Sequence, residues 1–175
     1  HGPAAQPDLP PAFCSFIHSP SQAGSTRAQV DFHAPDGGTV SLVGFQVQMP
    51  GAFLRVITYW KVNQPDIAPL KIRASLLNDA GRELFNSKNF TGATWCPSNT
   101  WRPGEIIQIS TSLIYIGNVQ KGQAHLALTL LPYRTTSATM STRTEGLPFH
   151  IVQSPGTVAP VPGTELVQLQ TITIS

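Results

Sequence analysis

Short runs that alternate between apolar and polar residues fill most of the chain from about residue 28 onward. In LKIRASLLN (70–78), every second residue is apolar, which is the period of a β-strand with one face in solvent. FLRVITYWKV (53–62) is apolar and β-branched on both faces, which predicts a strand inside a sheet rather than at its edge. Similar patterns predict further strands in AQVDFH (28–33), TVSLVGFQVQM (39–49), RELFNS (82–87), IIQISTSLIYI (106–116), QAHLALTLLPY (123–133), LPFHIV (147–152) and ELVQLQTITIS (165–175).

Turn-forming residues separate these runs. Clusters of Pro, Asp, Asn and Gly at 35–38, 50–51 and 78–81 predict tight reversals of the chain. Within 39–49 the alternation changes phase at Gly44, which predicts a β-bulge or bend. Eight or nine strands joined mostly by short turns, without a helical period, predict an all-β protein with an antiparallel, immunoglobulin-like β-sandwich.

The first 27 residues differ from the rest of the chain. They contain five prolines and a Ser-rich stretch, a composition that favours extended, polyproline-like backbone. The sequence therefore predicts two parts, a Pro/Ser-rich N-terminal arm (1–27) and a β-sandwich domain (28–175). Phe13, Phe16 and Ile17 are the side chains expected to anchor the arm on the sandwich.

Composition narrows the class of protein further. Charged residues make up 11% of the chain, against about a quarter in an ordinary soluble domain, and the net charge is +2. This balance argues against a disordered chain, a coiled coil and a nucleic-acid-binding protein. No apolar run approaches the length of a membrane span. The polar surface must come from Ser, Thr, Gln and Asn, as in secreted and envelope proteins or in subunits covered by partners.

The two cysteines, Cys14 and Cys96, suggest an oxidising compartment. An even number of cysteines in a Ser/Thr-rich chain predicts one disulfide, and two buried free thiols are the alternative. A bridge that closes a loop of about 80 residues would stabilise the fold by roughly 4 kcal/mol. Together with the low charge, this pair predicts an extracytoplasmic location, in the periplasm, at the cell surface or secreted.

Five segments in residues 40–175 resemble a module of bacterial envelope proteins. The segments are ITYWKV (57–62), LLNDAGRE (76–83), TWRPGEIIQ (100–108), HLALTLLP (125–132) and LVQLQTITI (166–174). They resemble the extracytoplasmic β-sandwich attached to integral-membrane glycosyltransferases of the mannosyltransferase type. The resemblance implies a non-catalytic accessory module, with Trp60 and Trp101 in its core. Such a module would dock onto other protein subunits of an envelope or membrane-associated assembly.

The histidines suggest an alternative function based on copper. If His1 is the mature N-terminus, its amine and imidazole could chelate copper together with a second histidine, because these nitrogens suit tetragonal Cu(II). This arrangement resembles the histidine brace of lytic polysaccharide monooxygenases. His33 is the preferred second ligand because it lies at a strand end, and the other candidates are His18, His125 and His150.

Aromatic residues suggest a third function, carbohydrate binding. Tyr59, Trp95 and Tyr133 are candidate glycan contacts, and Trp95, in a long loop, is the first of them to test. The same side chains could instead fill the core, since tryptophan is highly buried on average. The leading prediction remains a non-catalytic extracytoplasmic module without a cofactor.

Overall fold

Antiparallel β-strands make up nearly all of the regular structure. The structure is a computed structural model that describes residues 26–86, 98–111, 113–132, 146–153 and 156–175, and the backbone of 14–17. Within these ranges, no helical segment has the length and hydrophobicity of a membrane span. The strands are β1 (Cys14–Ile17), β2 (Thr26–His33), β3 (Thr39–Gln48), β4 (Phe53–Val62), β5 (Leu70–Leu77), β6 (Glu83–Asn86), β7 (Ile106–Ser110), β8 (Ile114–Tyr115), β9 (Gly122–Pro132), β10 (Phe149–Gln153), β11 (Ala159–Pro160) and β12 (Val167–Ile174).

The strands form two antiparallel sheets. The large sheet has the order β1-β7-β4-β3-β2-β10, with β8 also paired to β4, and the small sheet has the order β11-β12-β9-β5-β6. The apolar faces of both sheets meet in one buried cluster. This arrangement confirms the predicted all-β fold with two antiparallel sheets, a β-sandwich. The immunoglobulin-like connection pattern stays a prediction.

Strand β4 lies in the interior of the large sheet, between β3 and β7, as its two apolar faces predict. Its inward side chains include Trp60, which is fully buried and lies with its ring centroid 6.0 Å from that of Phe32. Trp101 is buried as well, so the prediction that both tryptophans belong to the core is confirmed.

The predicted irregularity at Gly44 is present as a β-bulge. Leu42 pairs with Trp60, but the next register partner of β4, Tyr59, pairs with Gly44. Val43 is therefore an extra residue in β3, and the alternation of inward and outward side chains restarts after it. As a result, Phe45 returns to the core, where it is fully buried.

The segment predicted as one strand over 106–116 is two strands, which corrects the sequence-based assignment. Both β7 and β8 pair with β4. Between them, the Val56 amide donates to the Thr111 hydroxyl at 3.0 Å, while the Thr111 amide donates to the Val56 carbonyl at 2.9 Å. A side-chain oxygen thus replaces a backbone carbonyl in the ladder, which interrupts regular pairing. Short strands of this kind raise the number of strands above the predicted eight or nine.

Part of the predicted N-terminal arm belongs to the large sheet. Strand β1 pairs antiparallel with β7, with Cys14 opposite Ile109 and Ile17 opposite Ile106. The predicted arm therefore contributes an edge strand to the sandwich. Phe13 and the side chains of Phe16 and Ile17 lie outside the described part of the chain, so the predicted anchoring contacts stay predictions.

Candidate functional site

A row of polar side chains crosses the outer face of the large sheet, on the side away from the core. His150 on β10 lies opposite Asp31 on β2, which lies opposite Ser41 on β3, which lies opposite Lys61 on β4. The row exists because these positions alternate with the buried residues of the same strands. Since β10 is an edge strand, the row opens at one end to solvent.

Two histidines meet at this open end. The His33 Nε2 and His150 Nδ1 atoms are hydrogen-bonded at 3.0 Å, and the two rings stack with centroids 5.1 Å apart and planes 19° from parallel. The residues are 117 positions apart in sequence, and the pairing of β10 with β2 brings them together. The His33 amide donates to the Pro148 carbonyl at 2.9 Å, which continues this pairing beyond the strand end. Both imidazoles remain exposed.

Asp31 lies beside the pair in a fixed orientation. Its Oδ1 accepts a hydrogen bond from the Ser41 hydroxyl at 2.7 Å and another from the Gln29 amide group at 3.2 Å. Its Oδ2 lies 3.7 Å from His150 Nε2, an ion-pair distance when the imidazole is protonated. His150 therefore has one ring nitrogen near a carboxylate and the other near a second imidazole.

A cleft of about 440 Å³ adjoins His150 where the two sheets meet at their edges. It is lined by residues of β10 and by Pro160, Thr164 and Glu165. Among the described residues, nothing forms a hydrogen bond with the buried Oε1 of Glu165.

A third histidine lies on the outer face of the small sheet. The His125 Nε2 atom is 2.7 Å from Asp79 Oδ1, and its Nδ1 is 3.0 Å from the Thr171 hydroxyl. Thr171 is the direct cross-strand partner of His125, and Asp79 belongs to the turn between β5 and β6. These contacts attach the turn to the sheet. This structural role is sufficient to explain the position of His125.

Exposed apolar side chains cluster at the end of β4 and β8. Phe53 and Tyr115 are register partners, 40% and 53% exposed, and their rings meet at 62° with centroids 5.5 Å apart. Leu113, two residues before Tyr115, is also exposed. We call these three residues the Phe53 patch. The sequence patterns do not single out these residues, although the place of Phe53 just after the 50–51 turn is a signal of exposure.

The structure describes one of the three residues that were predicted as glycan contacts. Tyr59 is only 5% exposed and packs with Ile57 and Ile106 in a small apolar cluster on the outer face of the large sheet. Burial raises the pKa of the Tyr59 phenol above its ordinary value. Its ring is therefore not available for a glycan in this structure. Trp95 and Tyr133 lie outside the described residues.

The predicted copper brace and disulfide also fall largely outside the described ranges. His1 and Cys96 are not described, and only the backbone of Cys14 is. His33 is described, and its neighbour is His150. Across the described residues, no group of three or more His, Cys, Asp or Glu side chains is placed to hold a metal ion.

Comparisons of the chain with protein-family models, curated proteins and solved structures found no significant match.

Proposed function

We propose that this chain is a non-catalytic, extracytoplasmic β-sandwich module that docks onto another protein subunit of an envelope or membrane-associated assembly. The observation that carries the proposal is the Phe53 patch, in which two aromatic rings and a leucine are exposed near one end of the sandwich. Exposed apolar side chains that cluster are typical of interaction sites, whereas single ones are ordinary.

The geometry of the patch favours a protein partner over a glycan. Sugars stack on flat aromatic faces, but the rings of Phe53 and Tyr115 meet edge to face at 62° and offer no common plane. Phe and Tyr are enriched in protein interfaces, where they insert into pockets of the partner. The Phe53 patch thus suits an apolar groove on a second protein.

Composition supports both the docking role and the location. Interface cores are depleted in Lys, Glu and Asp, and the chain has only 11% charged residues in total. The Ser/Thr-rich surface and the two cysteines are typical of proteins outside the cytoplasm. The resemblance of residues 40–175 to accessory modules of envelope glycosyltransferases points in the same direction.

Site-specific photo-crosslinking in the source organism tests the proposal. A benzophenone amino acid at position 115 should give one discrete adduct with a different protein in the envelope fraction. Gln123, exposed on β9 of the other sheet, is the matched control position and should give no such adduct. A Phe53→Ser substitution should abolish the adduct, and circular dichroism checks that this variant is folded.

Four results would contradict the proposal. Equal adducts at positions 115 and 123 would show that the patch is not specific. A cytoplasmic location of the protein would contradict the proposed extracytoplasmic location. Adducts with a second copy of the chain alone would make the patch a self-association surface. Polysaccharide retention that is lost in Tyr115→Ser would instead establish a glycan-binding module.

A further inference from the structure

We propose that His33 and His150 form a chelating site for a divalent transition metal ion, with Cu²⁺ bound most tightly. The His33 Nε2 and His150 Nδ1 atoms are 3.0 Å apart. A metal about 2.05 Å from both nitrogens would subtend an angle of about 94° at that separation. Tetragonal Cu(II) and Ni(II) place adjacent ligands at nearly this angle, so the pair has the spacing of a preformed chelate.

The protons of the two imidazole rings can be placed so that both facing nitrogens are free to bind a metal ion. The hydrogen bond in the metal-free pair needs one ring proton between the two nitrogens. When that proton moves to the other nitrogen of its own ring, both facing nitrogens present lone pairs. In that arrangement His150 carries its proton on Nε2, which faces the Asp31 carboxylate at 3.7 Å.

The Asp31 carboxylate, which at 3.7 Å is an ion-pair neighbour of His150 and not its hydrogen-bond acceptor, is placed to become the outer partner of a metal-binding histidine. Histidines that bind metals commonly donate their other N–H to a carboxylate, which fixes the tautomer and the ring orientation. Asp31 is itself held by Ser41 and Gln29 through Oδ1, so its Oδ2 remains directed to His150. Both histidines also sit on paired strands, so the chelate needs little rearrangement of the backbone.

His150 also lines a cleft that contains an acidic side chain, whereas His33 does not line it. Glu165 lines the same cleft as His150 and has a buried Oε1 for which the described residues provide no hydrogen-bond donor. No third His, Cys, Asp or Glu among the described residues completes the metal set, so water occupies the remaining positions of a bound ion.

Calorimetric titration of the full chain tests the proposal, with Cu²⁺, Ni²⁺, Zn²⁺ and Mg²⁺ as the probes. We expect one site, tightest for Cu²⁺ and without measurable affinity for Mg²⁺. His33→Ala and His150→Ala should each weaken Cu²⁺ binding at least about tenfold, and Asp31→Asn should weaken it about tenfold.

Matched variants separate this site from other sources of affinity. His125→Ala removes a histidine whose two ring nitrogens face Asp79 and Thr171 instead of another imidazole, and should leave binding unchanged. His1→Ala should leave it unchanged as well. Electron paramagnetic resonance should show two imidazole nitrogens on Cu²⁺ in the wild type and one in His150→Ala. Circular dichroism confirms that each variant is folded.

Three results would overturn the proposal. The first is an absence of Cu²⁺ binding to the wild type. The second is a loss of affinity in His1→Ala and His33→Ala with none in His150→Ala, which would establish the His1–His33 brace instead. The third is an equal loss in His125→Ala, which would indicate nonspecific binding to surface histidines. None of these results concerns the Phe53 patch, so the proposed docking function is tested independently.

Discussion

The Trp60 indole Nε1–H donates a hydrogen bond of 2.7 Å to the hydroxyl of Thr58, two residues earlier on the inward face of the same strand. The Thr58 hydroxyl in turn donates to the Ile109 carbonyl on β7 at 2.7 Å. Both side chains are fully buried. A single threonine thus provides the acceptor that a tryptophan needs inside an apolar core.

Replacing Thr58 by valine should destabilise the protein by about 2 kcal/mol. Valine has nearly the same shape, but it leaves the Trp60 N–H buried without an acceptor. Urea unfolding followed by far-UV circular dichroism measures the change. In a Trp60→Phe background, the same substitution should cost about 1 kcal/mol less, because no indole N–H is left unpaired. Equal costs in both backgrounds would show that the hydrogen bond contributes nothing.

Gly38 should not tolerate a side chain. A Cβ atom at this position would lie 2.1 Å from Cδ1 of Ile67, which is fully buried, and 3.2 Å from Cδ of Gln64. Gly38→Ala should therefore reduce the free energy of unfolding by about 1–3 kcal/mol through overpacking. Ile67→Val removes the clashing Cδ1 methyl, so alanine should cost less in that background. A cost that is unchanged by Ile67→Val would locate the strain elsewhere.

Stability above about pH 10 should depend on Tyr59. Because burial raises the pKa of its phenol, the unfolded chain loses this proton at lower pH than the folded protein does. The stabilisation is fully present below the unfolded pKa of about 10 and is lost as pH rises through the folded value.

Urea midpoints across a series of alkaline pH values test this dependence. The wild type should lose stability more steeply than Tyr59→Phe. Tyr115→Phe, which removes the hydroxyl of a tyrosine that is 53% exposed, is the matched control for the loss of a phenol. Parallel curves for wild type and Tyr59→Phe would contradict the expectation.

Local patterns in the sequence predict much of the fold. The phase change at Gly44 predicts the bulge, and the two apolar faces of 53–62 predict the interior position of β4. Each of these features depends on residues that are close together in the chain. The alternation of apolar and polar side chains therefore predicts it directly. The division of 106–116 into two strands could not be predicted from local patterns, because it depends on a contact between Thr111 and the distant Val56.

The candidate sites are harder to predict for the same reason. His33 and His150 are both recognisable as potential ligands, but nothing in either segment shows that β10 pairs with β2. Tyr59 shows the opposite problem. Its strand position allows either a solvent-facing or a covered ring, and only the packing of Ile57 and Ile106 around it decides the matter.

The strands at the sheet edges have a consequence for aggregation. The edge strands β1, β6, β10 and β11 have two to five residues each, whereas the central strands β3, β4 and β9 have ten or eleven. In addition, β10 has an irregular register between Ile151 and Gln153, and β11 ends in Pro160. Short, irregular edges give another chain little backbone to pair with. The chain has few charges that would repel other copies of itself. Its short edge strands can nevertheless limit edge-to-edge polymerisation.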